Sequence, residues 1–178
     1  MKRHPWGKVP AITFPDTGFT LYESRAICRY LATKYNFPLL PPTSDIEATA
    51  LFDQAQSVEI HYFAEPAGRI SFEKFAKRFM GLPPNDVVVA EALRSVESFF
   101  DVAERLLQRE DHPYMAGKDF TLVDIYCIPL IQRIFACGYG DVIHSRSAVS
   151  TWWRRCVDRP AVQTLAAAAA AAADAARG

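Results

Sequence analysis

The chain has 178 residues, half of them hydrophobic, with 20 Lys and Arg set against 20 Asp and Glu. That length can bury a substantial core, and a formal net charge of zero leaves no field to gather nucleic acid or an anionic membrane surface. No apolar stretch reaches bilayer-spanning length, and the opening Met1-Lys2-Arg3-His4-Pro5 does not read as a signal peptide. The four cysteines, Cys28, Cys127, Cys137 and Cys156, show neither metal-ligand nor CxxC spacing and read as reduced, mostly buried thiols of a cytoplasmic protein.

Residues 9–14 and 19–22 are β-branched and aromatic runs flanking Pro15-Asp16-Thr17-Gly18, which has tight-turn chemistry, and they predict a β-hairpin. A helix follows, with Ser24 as its N-cap, Ala26, Ile27, Tyr30 and Leu31 on one face, and an end near Asn36. Residues 38–44 open with Pro38-Leu39-Leu40-Pro41-Pro42, cannot extend that helix, and read as a linker.

Everything beyond reads helical. Ser44-Asp45-Ile46-Glu47 has the form of a capping box and starts a helix that runs to about Phe63. A second helix is predicted over 70–79, closed by Gly81-Leu82-Pro83-Pro84, and a third over 86–109. The third places Val89, Leu93, Val96, Phe100, Ala103 and Leu107 on one stripe. A fourth begins at Thr121 and carries Pro129, which should bend it; a fifth covers 149–158 and stops before Pro160. Residues 166–173 are alanine throughout, which favours helix but offers little to pack, and they read as a tail.

Three segments resemble one family. His4-Pro5-Trp6-Gly7-Lys8-Val9-Pro10-Ala11 resembles the NPxGxVPA turn of glutathione transferases, and Tyr22-Glu23-Ser24-Arg25-Ala26-Ile27 resembles their ESRAI segment. Tyr114-Met115-Ala116-Gly117-Lys118-Asp119-Phe120-Thr121-Leu122-Val123-Asp124 resembles their YLAGxxFTLAD segment. Residues 58–63, 81–83 and 88–93, with Trp152-Trp153 and Arg159-Pro160-Ala161, are most similar to the phi class of plants and fungi. The resemblance covers residues 4–165 and implies an α/β plus all-α fold. Residues 1–37 are then the C-terminal part of a thioredoxin-like glutathione-binding domain, 38–44 a linker, 45–165 an all-helical domain and 166–178 the alanine-rich tail.

The resemblance also implies glutathione as co-substrate and assigns its contacts. Glu23 lies near the γ-glutamyl amine, while Ser24 and the electropositive helix start face its carboxylate. The Val9-Pro10 peptide is expected to be cis, with the Val9 backbone pairing with the cysteinyl amide as an added strand would. Lys8 stands where many relatives carry glutamine and offers a carboxylate a flexible point charge, with a plain solvent-facing lysine as the even alternative. The electrophile pocket, apolar in such enzymes, is expected on His61, Phe63 and Ala67, with Tyr62 and Phe72 on the same stretch, although an aromatic on a helix is more often core. Thr121 and Asp124 are read as a helix cap that serves folding. Arg25 is read as a subunit tie or hairpin anchor.

Relatives open with a strand–helix–strand unit that carries the residue activating the thiol. Only three residues precede His4, so that residue is expected outside this sequence and the natural chain is expected to be longer. The expected function is conjugation of glutathione to an apolar electrophilic small molecule. Glutathione-dependent cis–trans isomerisation and a non-catalytic glutathione-binding or scaffold role stay open beside it. The resemblance further implies a homodimer, with no nucleic acid, membrane or metal involved.

Overall fold

Short β-branched and aromatic runs joined by a glycine turn form a two-stranded antiparallel hairpin, β1 (Ala11–Thr13) and β2 (Thr20–Tyr22), in the computed structural model, which describes residues 4–175. Ala11 pairs with Tyr22, Ile12 with Leu21 and Thr13 with Thr20. The Gly18 N–H donates to the Phe14 carbonyl at 2.9 Å, and Gly18 takes a φ of 66°, open to glycine at little cost. The strands are shorter than predicted because Pro10 has no N–H for the ladder and Phe14 and Phe19 close the turn instead. Their rings pack on Tyr30 of α1 (Ser24–Lys34), each with centroids 5.2 Å from it, and so fasten hairpin to helix.

The start of α1 differs from expectation. Ser24 is the first helical residue, not the cap; Glu23 holds the cap position at φ 70° and ψ 116°, with no side-chain cap hydrogen bond. Only one residue separates the end of β2 from the start of α1, so Glu23 alone must absorb the reversal. The far end matches the prediction. Asn36 is left-handed at φ 51°, and the Phe37 N–H reaches back to the Ala32 carbonyl at 2.9 Å.

Asp45, not Ser44, caps α2 (Ile46–Val58), its carboxylate accepting the Ala48 N–H at 2.9 Å. The two helices predicted next form one continuous run. After α2 come a π turn at Glu59–Ala64, α3 (Glu65–Ser71), a second π turn at Phe72–Ala76 and α4 (Lys77–Phe79). Pro66 lies in the first turn of α3, and the wider π turn before it moves the preceding carbonyls away from the proline ring. Gly81, at φ 68°, stops the run where predicted.

Asn85 caps α5 (Asp86–Leu107), accepting the Val87 and Val88 N–H groups. This helix buries Val89, Ala92, Val96, Phe99, Phe100, Ala103 and Leu107; Leu93, placed on the stripe by periodicity, is only half-buried. α6 (Leu122–Ala136) carries Pro129 within it and is mostly interior. A short α7 (Asp141–His144) escaped prediction, being too brief to show a period, and α8 (Ser147–Val157) buries Val149, Trp152, Trp153 and Cys156. Tail residues 166–175 belong to α9 (Pro160–Ala175), which is exposed over residues 163–172. The chain groups into two compact units that meet within α2, one ending at Phe52 and the other beginning at Asp53.

Two carboxylates organise the second unit. Asp124, fully buried, accepts the Thr121 N–H at 2.8 Å, the Met115 N–H at 3.0 Å and the Trp152 indole N–H at 2.8 Å. The Thr121 hydroxyl accepts the Val123 N–H, completing the expected capping box at the start of α6. Burial pushes the Asp124 carboxyl up, while these donors oppose the shift. Glu104 of α5 caps a different helix, taking the Ala148 and Val149 N–H groups and the Ser147 hydroxyl of α8 at 3.1, 2.9 and 3.1 Å. Arg146 donates from Nε and Nη2 to a single oxygen, Oδ1, of Asp101, at 2.8 and 2.6 Å.

Asp124→Ala strands two buried donors and the part-buried Met115 N–H, and is expected to cost about 3–5 kcal/mol in chemical denaturation. For Glu104, burial raises the carboxyl's pKa, but the Val149, Ala148, Ser147 and Gln108 hydrogen bonds win, leaving it below the ordinary 4.5. A carboxyl depressed in the folded state stabilises above its unfolded value and loses that contribution as pH falls through the folded value. Glu104→Gln is therefore expected to lose about 1–2 kcal/mol at neutral pH. Between about pH 5 and pH 3 its stability should then decline less steeply than the parent's.

Candidate functional site

The hairpin register brings the predicted ligand residues together. Because Ala11 pairs with Tyr22, the residues before Ala11 and after Tyr22 emerge at the same end of the hairpin: Lys8, Val9 and Pro10 from one strand, Glu23 and Ser24 from the other. All five are exposed, and the Val9-Pro10 peptide is cis, as the resemblance implies. Behind Lys8, a turn closes through the Gly7 N–H donating to the His4 carbonyl at 3.0 Å, with Gly7 left-handed at φ 66°.

Two features give this corner its chemistry. The first hydrogen bond of α1 runs from the Ile27 N–H to the Glu23 carbonyl, so the helix and its positive dipole end begin at Ser24, which is exposed. Glu23 sits in a backbone region that a residue with a Cβ rarely occupies, at a cost of roughly 1–3 kcal/mol, and such strain gathers at ligand clamps. A carboxylate, a helix N-terminus and an exposed backbone beside a cis proline within one corner can take, respectively, an ammonium, a carboxylate and a peptide amide. The arrangement suits a peptide-like zwitterion.

Sequence reasoning missed His4 as an individual residue. Its imidazole is 6 % exposed, lies against Tyr22 at 4.8 Å and edge-on to Trp6 at 6.1 Å, and points Nε2 at the Glu23 carboxylate, 3.6 Å away. The available signal was a titratable residue flanked by aromatics inside the turn motif.

The residues expected to line the electrophile pocket lie on the second unit and divide. His61 is exposed, its Nδ1 2.8 Å from the Ser57 carbonyl. Phe63 and Ala67 are interior. Phe63 stacks on Phe99 at 5.1 Å and meets Phe100 edge-on at 5.3 Å. Four residues apart on one helical run, Phe63 and Ala67 share a face, and that face packs inward. Tyr62 and Phe72, by contrast, are exposed.

The other chemistry-bearing groups are structural. Cys127 and Cys156 are buried, Cys28 and Cys137 half-buried, and burial pushes the Cys28, Cys137 and Cys156 thiols up, away from thiolate character. Among the described residues no cluster of three or more His, Cys, Asp or Glu could hold a metal, and no helix is long and apolar enough to cross a membrane.

Comparison with known proteins follows the same outline. Residues 1–34 match the family described as glutathione S-transferase, N-terminal domain, and residues 57–160 the family described as glutathione S-transferase, C-terminal domain. Over 156 residues the chain is 36% identical to glutathione S-transferase hmp2 of Hypomyces subiculosus, covering 86% of this chain and 72% of that protein. It is 37% identical to glutathione S-transferase PM239X14 of Arabidopsis thaliana, covering 84% and 68%. Among solved structures, glutathione S-transferase I bound with lactoylglutathione superposes with a TM-score of 0.84 at 31% identity, over 93% of this chain and 77% of that one. The maize glutathione S-transferase I complex with an atrazine glutathione conjugate gives 0.83 at 32% identity, over 93% and 75%.

Glu23→Gly should separate strain from binding. Glycine accepts the positive φ, so the variant is expected to unfold at higher denaturant, by up to about 1 kcal/mol, despite losing the carboxylate.

Proposed function

The chain belongs to the glutathione S-transferase family, and from that premise we propose that it holds glutathione at the hairpin corner and joins its sulfur to an apolar electrophilic small molecule. The observation that carries the reading is the meeting of Glu23 and Ser24 with Val9 and Pro10 at one end of the hairpin. In this reading Glu23 takes the γ-glutamyl ammonium. Ser24, with the start of α1, takes the adjoining carboxylate through charge-assisted hydrogen bonds. The exposed Val9 backbone pairs with the cysteinyl amide, fixing the sulfur's position relative to the sheet. Lys8 supplies a mobile positive charge to a second carboxylate of the tripeptide.

Catalysis then rests on orientation. A tripeptide clamped at both charged ends and along its backbone presents one thiol in one place, which converts a bimolecular encounter into a positioned attack. We assign the electrophile to the surface of residues 61–72, with His61, Tyr62 and Phe72 in front and Phe63 and Ala67 packed behind as support. The same family premise supports a homodimer acting in the cytoplasm, in detoxification or secondary metabolism.

Titration calorimetry with glutathione tests the binding reading. Replacing both Glu23 and Ser24 by alanine is expected to weaken uptake by at least about 30-fold. Unchanged uptake would overturn the assignment. Mass spectrometry of products from an aryl halide tests the chemistry, since a conjugate carries the added mass of glutathione.

A further inference from the structure

We infer that His4 is a positioning residue, holding the Glu23 carboxylate from behind so that its free face meets the ammonium of the incoming γ-glutamyl group. The inference rests on the glutathione reading of this corner and extends it to a residue outside the ligand's reach. Three observations carry it. His4 is buried and clamped, with Tyr22 and Trp6 against its ring and its carbonyl tied to the Gly7 N–H. Its Nδ1 is buried without a hydrogen-bond partner among the described residues. Its Nε2 lies 3.6 Å from Glu23 Oε1, in ion-pair range and within a small side-chain rotation of a hydrogen bond.

These facts select a tautomer. A neutral imidazole carries its proton on one nitrogen. On Nδ1 the proton would be a buried donor with nothing to receive it, and Nε2 would present a lone pair to a carboxylate. On Nε2 it points at Glu23, and Nδ1 buries only a lone pair. A small rotation of the Glu23 side chain then lets the Nε2 proton reach Oε1 and leaves Oε2 for the ligand.

Glu23 needs such a hold. Its backbone is fixed at φ 70°, but its side chain is 68% exposed and would otherwise sample several rotamers. A carboxylate already restrained loses less freedom when the ammonium arrives, so affinity rises without a new contact to the ligand. The rigid member is His4, and the mobile member it restrains is the one that touches glutathione.

The test compares glutathione with its analogue lacking the γ-glutamyl amine, titrated calorimetrically into the full chain and its variants. His4→Ala is expected to weaken glutathione binding about tenfold while leaving the desamino analogue's affinity within about twofold of the parent's. His4→Gln, whose side-chain amide N–H falls near the position of Nε2, is expected to restore glutathione binding to within about threefold. In the Glu23→Ala background, removing His4 should have no further effect on glutathione affinity. Equal weakening of both ligands by His4→Ala marks a merely structural role and overturns the inference, as does an unchanged glutathione affinity. A parent chain that takes up no glutathione overturns the functional reading and this inference together, whereas binding by the parent with no His4 effect defeats the inference alone.

Discussion

Between the last residue of β2 and the first of α1 there is room for Glu23 and nothing else. A strand and a helix meeting so abruptly force the joining residue out of the ordinary backbone regions, and Glu23 takes a positive φ that glycine would accept more easily. That constraint sets the direction in which α1 leaves the sheet. It puts the helix start at the same corner as Val9 and Pro10, and it brings the Glu23 carboxylate to where His4 lies. A carboxylate at a site that disfavours it has a function for its reason more readily than a structural one.

The helical unit follows a different rule, in which buried charge is tolerated because it is fully partnered. Asp124 serves the first turn of α6, the chain at Met115 and the indole of Trp152 in α8, joining elements far apart in sequence at one atom group. Glu104 lends α5's carboxylate to the start of α8, and the preceding Arg146 pairs with Asp101 on that same helix. Elsewhere in this unit the packing is aromatic, with Phe63, Phe99 and Phe100 in mutual contact. The result is a helical unit held by partnered carboxylates and a separate hairpin unit whose corner is exposed.

Much of this was legible from residue type alone. Thr121 and Asp124 declare a capping box, Asn36 and Gly81 mark helix ends that the left-handed region satisfies, and Pro15 to Gly18 announce the hairpin turn. What misled was local ambiguity. Ser44 and Asp45 are both good caps, and only the geometry shows that Asp45 reaches Ala48. Pro66 lies inside a run that continues through two π turns, a geometry with no propensity signal. Phe63 and Ala67 carry the composition of a pocket wall, and only the packing shows that both side chains are buried.

The sequence by itself determined the family and the order of hairpin and helices, because turns, caps and motifs are short-range and written in consecutive side chains. The tertiary structure alone decided that Glu23 bears the reversal into α1, that His4 is buried behind it, that Glu104 caps a helix over forty residues away, and which aromatics face inward. Those outcomes depend on which elements pack together, and a residue's neighbours across a fold are not encoded in its neighbours along the chain.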